Sequence, residues 1–198
     1  MIAFKNLSNE VPYKEFKDKY DEAVRKGQKG LEVISISSFN AEINEVDSRY
    51  VNLKFIDNDQ FIFFSNYNSP KSRSFSTHKQ ISALIYWPNI NLQIRMRAKI
   101  RKTSIEFNQK YFSQRLLEKN ALAISSNQSS QIDTYSLVKK NFSKVLKNND
   151  LKKCPEYWGG FSFTPYAIEF WTGHENRLNK RDLYEKVSNS WKHSILQP

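Results

Sequence analysis

Hydrophobic and polar positions alternate most regularly from Leu92 to Arg101. Leu92, Ile94, Met96, Ala98 and Ile100 fall on one face, and Gln93, Arg95, Arg97, Lys99 and Arg101 on the other. A period of two marks a strand with one buried face. Arg49 to Ile56 repeats the pattern, with Val51, Leu53 and Phe55 opposed to Asn52 and Lys54. Asp57-Asn58-Asp59 then turns the chain back into Phe61 to Ser65, which predicts a hairpin. Further strands are expected over Leu31 to Ser38, over Ile81 to Trp87 where Pro88 stops the run, and over Phe161 to Trp171, Arg181 to Val187 and Trp191 to Leu196.

Helical spacing appears between these runs. Phe16, Tyr20 and Val24 stand four apart within Pro12 to Lys26, and Gly27 follows as a stop. Ser69-Pro70-Lys71 has the form of a helix start, with serine as cap and proline at the first helical position. Weaker periodicity predicts helices over Ser104 to Glu118 and Tyr135 to Leu146. Strands joined mainly by hairpins, with helices between them, give a mainly β fold with α: a mostly antiparallel barrel with peripheral helices. One domain over 1–198 is expected, with a helical N-terminal segment at 1–30 and a C-terminal segment at 155–198.

Composition narrows the function classes. With 39% hydrophobic and 14% aromatic residues the chain can bury a core. No run of about 18 apolar residues is present, so no membrane span is expected. The N-terminus lacks the apolar stretch of a signal peptide. Cys154 stands alone, which excludes an internal disulfide and suits the cytoplasm. The net charge of +11 comes from 31 Lys and Arg spread along the whole chain. There is no helix-turn-helix spacing, zinc-finger cysteine set or basic tail, so a phosphorylated small molecule is preferred to nucleic acid. His78, His174 and His193 are far apart in sequence, and no metal is expected. No Gly-x-Gly-x-x-Gly or Walker lysine points to other nucleotide folds.

Several segments suit an anionic, planar ligand. Ile168 to Arg181 runs from an apolar strand through Trp171 to Arg177 and Arg181, which sets an aromatic surface beside two permanent cations. Arg49 and Lys54 are five apart, so on a regular strand they point to opposite faces. Lys71 adds a cation at a helix N-terminus, where backbone N–H groups already favour phosphate. Tyr111, Arg115 and Lys119, four apart, would align on one helical face and suit a phosphate dianion. Gln128-Ser129-Ser130 offers neutral hydrogen-bonding groups.

From about residue 12 onward the chain resembles the pyridoxine (pyridoxamine) 5′-phosphate oxidase family. The resemblance rests on Arg-x-Val-x-Leu-Lys at 49–54, Gln128-Ser129-Ser130, Trp158-Gly159-Gly160-Phe161, and Glu169-Phe170-Trp171 leading to Arg177-Leu178 and Arg181. It implies an FMN-binding split barrel, a homodimer with FMN at the subunit interface, and O2-dependent oxidation of a phosphorylated B6 vitamer to pyridoxal 5′-phosphate with release of hydrogen peroxide. By resemblance the FMN positions are Arg49, Tyr50, Val51, Asn52, Leu53, Lys54, Phe64, Ser65, Lys71, Gln93, Gln128, Ser129, Trp171 and Arg181. The substrate positions are Lys54, Tyr111, Arg115, Lys119, Arg177, Leu178 and Asn179, with Arg177 and Asn179 on the reaction side.

Three positions depart from the family pattern. Pro70 stands where an arginine is common, and Arg73 is the nearest replacement. Lys119 replaces a serine. Asn179 replaces a histidine, and an asparagine can hydrogen-bond but not titrate. Two other functions stay open: oxidation of a different aromatic substrate, as in phenazine biosynthesis, and non-catalytic binding of flavin or pyridoxal phosphate.

Overall fold

Six strands close on themselves in the computed structural model, which describes residues 1–198. In chain order the strands are β1 (Ala3–Lys5), β2 (Val33–Asn40), β3 (Glu45–Asp57), β4 (Gln60–Asn66), β5 (Gln80–Trp87), β6 (Leu92–Lys102), β7 (Trp158–Thr172), β8 (Lys180–Val187) and β9 (Ser190–Ile195). Antiparallel pairing runs β3–β2–β5–β6–β7–β4 and returns to β3, which makes a closed barrel. β8 and β9 continue the sheet beyond β7, and β1 lies parallel to β3. β7 is the seam. Its first six residues pair with β4 and its last six with β8, while β6 runs alongside nearly all of it.

The alternation in β6 reads as expected: Leu92, Ile94, Met96, Ala98 and Ile100 are all buried. They meet Ile34, Leu53, Phe61, Phe63, Phe163 and Phe170 inside the barrel. Helix α1 (Val11–Arg25) packs Tyr13, Phe16, Tyr20 and Ala23 against this core. Phe16 meets Phe61 and Trp87 edge-on at 5.2 and 5.7 Å. Truncating such a buried phenylalanine costs about 3–5 kcal/mol. Val24 is exposed, because seven residues complete nearly two turns from Phe16 and bring Ala23 back to the core instead.

Three further expectations change. The N-terminal segment is not wholly helical, since Ala3–Lys5 forms β1. The helix predicted over 104–118 divides into α3 (Ile105–Ser113) and α4 (Leu117–Ser125) with a turn at 114–116. The clean alternation of 49–56 is broken by a β-bulge at Lys54, where Leu53 pairs with Phe63 but Phe55 with Ile62. Leu53 and Ile56 are then buried, and Phe55 leaves the core. Two more helices, α2 (Pro70–Thr77) and α5 (Tyr135–Asn148), complete the fold. No helix is long and apolar enough to cross a membrane.

Candidate active site

The bulge in β3 is the first element of the site. On a regular strand Lys54 would face away from Arg49, yet both line one cavity, because residues from both faces of β3 contribute to it. That cavity has a volume of about 740 Å³, lined by Arg49, Tyr50, Val51, Asn52 and Lys54 of β3 and Phe64 and Ser65 of β4. Lys71, Tyr111, Arg115, Lys119, Gln128 and Ser129 complete it, together with Gln114, Leu116 and Trp158. Five lining residues are cations and none is Asp or Glu.

Each cation is held differently. Arg49 Nη1 donates to the Ser38 hydroxyl at 2.7 Å and the Ile36 carbonyl at 3.2 Å. Its Nη2 lies 2.8 Å from Asp47, an ion pair without hydrogen-bond alignment. Lys71 opens α2, is only 8% exposed, and donates to Ser65 Oγ at 3.4 Å. Burial, then the charge of Arg49, lowers its pKa from the ordinary lysine value. Ser69 precedes the helix as expected, but its hydroxyl donates to the Asn66 carbonyl at 2.7 Å and does not cap α2. Pro70 carries no N–H, and those of Ser72 and Arg73 donate to the Ser69 carbonyl, which leaves the Lys71 N–H at this helix start.

Arg115 sits in the turn between α3 and α4, not on a continuous helical face. Asn120 fixes that turn by donating to the carbonyls of Phe112 and Leu151, both at 2.8 Å. The Arg115 guanidinium lies 4.5 Å from the Trp158 ring centroid, and its buried Nη1 has no partner. Trp158 stacks on Phe64 at 5.0 Å, and Phe64 stacks on Tyr111 at 4.0 Å, which builds an aromatic wall. The adjoining glycines are needed there, because a methyl at 159 would collide with the Tyr67 hydroxyl and the Asn108 amide. Burial lowers the pKa of Lys54, and the charges of Lys119 and Arg115 add to that effect while Glu32 opposes it. Tyr111 is pushed up by burial.

The loop after α4 closes one side. Gln128 Oε1 accepts from Ser65 Oγ at 3.4 Å and from the Asn66 N–H at 3.3 Å. Ser129 holds φ +68°, a left-handed conformation that non-glycine residues seldom adopt.

Not every sequence candidate reaches the cavity. Leu53 points into the core, which leaves only its backbone for a ligand. Arg73 is exposed and donates to the Asn68 carbonyl at 3.4 Å, so it does not replace the cation missing at Pro70. Gln93, Trp171 and Arg181 form a separate row across β6, β7 and β8, in register with one another. Arg177, Leu178 and Asn179 lie in the β7–β8 connection, also apart from the cavity. Arg177 has φ +59°. Asn179 Oδ1 accepts from the His174 N–H at 3.0 Å, and the Arg177 N–H donates to the His174 carbonyl at 2.9 Å. Asn179 therefore ties the connection that carries Arg177. Gln114, Leu116 and Trp158 were not singled out as site residues; the Trp-Gly-Gly run was the one available signal.

Cys154 is no nucleophile here. Burial pushes its thiol up to about 11, and it leans on the carbonyls of Pro155 and Trp158 at 3.6 Å.

Comparison with known proteins bears on the family and the fold. The family model described as the pyridoxine 5′-phosphate oxidase C-terminal dimerisation region matches residues 158–198. The chain is 32% identical over 189 residues to the pyridoxine/pyridoxamine 5′-phosphate oxidase of Legionella pneumophila (strain Paris), covering 94% of this chain and 87% of that protein. It is 37% identical over 155 residues to the enzyme of that name from Burkholderia lata, covering 76% and 72%. Among solved structures, PhzG from Burkholderia lata in complex with tetrahydrophenazine-1-carboxylic acid superposes with a TM-score of 0.89 at 23% identity, covering 94% and 92%. A pyridoxamine 5′-phosphate oxidase-related, FMN binding protein from Nostoc punctiforme gives 0.79 at 12% identity, covering 96% and 99%. The last two show a shared fold, and the sequence relatives show more: the chain belongs to the pyridoxine/pyridoxamine 5′-phosphate oxidase family.

Proposed function

We propose that this protein is an FMN-dependent oxidase that converts pyridoxamine or pyridoxine 5′-phosphate to pyridoxal 5′-phosphate, with O2 reduced to hydrogen peroxide and, for the amine, water consumed and ammonia released. The observation that carries this reading is the cavity lined by five cations, of which only Arg49 is ion-paired, to Asp47 at 2.8 Å. Two phosphates need such a surplus. Arg49 and Lys71, beside the uncapped start of α2, suit the phosphate of FMN. Lys54, Arg115 and Lys119 remain for a second dianion, and Arg115 has a buried donor without a partner. A substrate with a single carboxylate, such as the ligand in the PhzG complex, would leave this charge under-compensated.

FMN when bound supplies hydride acceptance and its own reoxidation by O2. The chain's residues supply position. Lys54, Tyr111, Arg115 and Lys119 anchor the substrate phosphate and exclude neutral analogues. Arg177 covers the substrate ring. Asn179 holds the Arg177 connection in place and cannot exchange a proton, so it carries no acid–base role. Gln93, Trp171 and Arg181 complete the flavin site from a second copy of the chain, in a homodimer.

Purified protein reconstituted with FMN should release peroxide with pyridoxamine 5′-phosphate and far less with unphosphorylated pyridoxamine. A yellow protein that is inert with both vitamers would sink the oxidase reading and leave a flavin binder. Turnover of a reduced phenazine carboxylate in preference to either phosphate ester would transfer the reading to that substrate.

A further inference from the structure

Glu169 is a carboxylate that the proposed chemistry does not use, yet it is among the most buried charged groups in the chain. Its side chain is 4% exposed and faces two arginines from the strands on either side. Oε1 accepts from Arg181 Nε at 2.8 Å, and Oε2 lies 2.7 Å from Arg95 Nη2. The register explains the meeting. Gln93, Trp171 and Arg181 form one cross-strand row, and Arg95, Glu169 and Leu183 form the next row on the same face. Glu169 reaches diagonally from its own row to the first.

The Arg181 guanidinium is thus fixed on two sides. Nε is bound to Glu169, and Nη1 donates to the Gln197 carbonyl at 2.9 Å. Nη2 has no intramolecular bond among these contacts and is the edge left to meet a ligand. Without the carboxylate, Arg181 keeps only the exposed contact to Gln197 and regains its rotamers. Arg95 is 53% exposed in the single chain.

We infer that Glu169 is a positioning residue, which locks Arg181 beside Trp171 so that the pair binds the flavin without first being ordered. This rests on the reading of Arg181 and Trp171 as flavin residues. The carboxylate neutralises one of its two arginines, so the cluster retains one net positive charge. Two arginines on one acid keep the aromatic row both rigid and cationic.

The test is FMN affinity of the apoprotein, measured by quenching of free FMN fluorescence, in Glu169→Gln, Arg181→Gln and the double variant. Glu169→Gln should weaken FMN binding by about tenfold, from lost preorganisation rather than a lost contact. The double variant should bind no more weakly than Arg181→Gln alone, within about twofold, because the two residues act as one unit. Additive losses, or wild-type affinity in Glu169→Gln, would overturn the inference. Should Glu169→Gln fail to fold, Glu169→Asp keeps the charge on a shorter arm and should show a smaller loss with an unchanged melting temperature; wild-type affinity there counts against the inference. A wild-type chain that binds no FMN overturns the flavin reading itself, and this inference with it.

Discussion

Arg115 and Lys119 both face the proposed substrate phosphate, but the structure makes them unequal. Arg115 is half-buried, lies against Trp158 at 4.5 Å, and has a buried Nη1 without a partner. Lys119 is exposed on α4. A hydrogen bond to a charged group is worth about 1.5–3 kcal/mol, which corresponds to roughly a 10- to 150-fold change in affinity. An exposed charge pair is worth about 0.2–1 kcal/mol, or roughly 1.4- to 5-fold. Arg115→Met should therefore raise KM for pyridoxamine 5′-phosphate by at least tenfold, and Lys119→Ser by fivefold or less. Arg115→Lys should resemble the methionine variant more than the wild type, since lysine keeps the charge but not the two-pronged donor set. The apoprotein should tolerate Arg115→Met, because that cation repels Lys54 in the empty cavity. Initial rates of peroxide formation across substrate concentration, with thermal melts of each apoprotein, check all of this. If Lys119→Ser costs as much as Arg115→Met, burial does not decide the ranking and the assignment of the phosphate to Arg115 is wrong.

Other expected outcomes follow from the same contacts. Arg177→Ala should lower turnover far more than FMN content; an equal loss of both would reassign that arginine to the cofactor. Lys71 has a depressed folded-state pKa, so the unfolded chain binds more protons and its burial destabilises the ligand-free protein at neutral pH, an effect that fades as pH rises toward the ordinary lysine value. Lys71→Met should thus raise the melting temperature at pH 7, with the gap closing toward pH 10, and should abolish the stabilisation by inorganic phosphate. In the wild type that stabilisation should reach about 2.7 kcal/mol at a hundredfold excess over Kd, a shift of roughly 5–10 °C. Cys154, with its thiol pushed up to about 11, should react with iodoacetamide at pH 8 much more slowly than free cysteine, and denaturation should restore the ordinary rate. Leu84→Glu, on the exposed sheet face, should shift sedimentation to a monomer and weaken FMN binding together; a monomer with wild-type FMN affinity would remove the two-subunit flavin site.

Most of the barrel was legible because its strands have one wet and one dry face. Where that condition fails, so does the reading. Lys54 sits in a bulge, and a bulge is a mismatch between two strands that neither strand's own sequence announces. The spacing of Tyr111, Arg115 and Lys119 is helical by arithmetic, yet the chain turns at 114–116, around the second of them, and Asn120 fixes that turn by holding two carbonyls. All three still converge on one cavity, so the grouping was right while its geometric reason was not. Trp158 is harder to read as a site residue, because a tryptophan before two glycines fits a core position equally well.

The separation of Gln93, Trp171 and Arg181 from the cavity is itself an argument about assembly. Tyr50 belongs to the cavity wall, and it also begins a cross-strand row that continues through Ser35, Leu84, Arg95, Glu169 and Leu183. One sheet face therefore runs from the cavity to the Glu169 cluster, and it carries exposed Tyr50, Leu84 and Tyr86 along the way. Exposed aromatics of this kind are enriched at protein interfaces. A twofold axis through that face sets the far end of one copy against the near end of the other, since an isologous contact pairs every residue with its counterpart in exchange. The row that does not line its own cavity would then lie where it could serve the neighbour's. On the proposed reading, the Gln93–Trp171–Arg181 row would need Glu169 because it would have to be held rigid on one chain in order to meet a ligand held mainly by another.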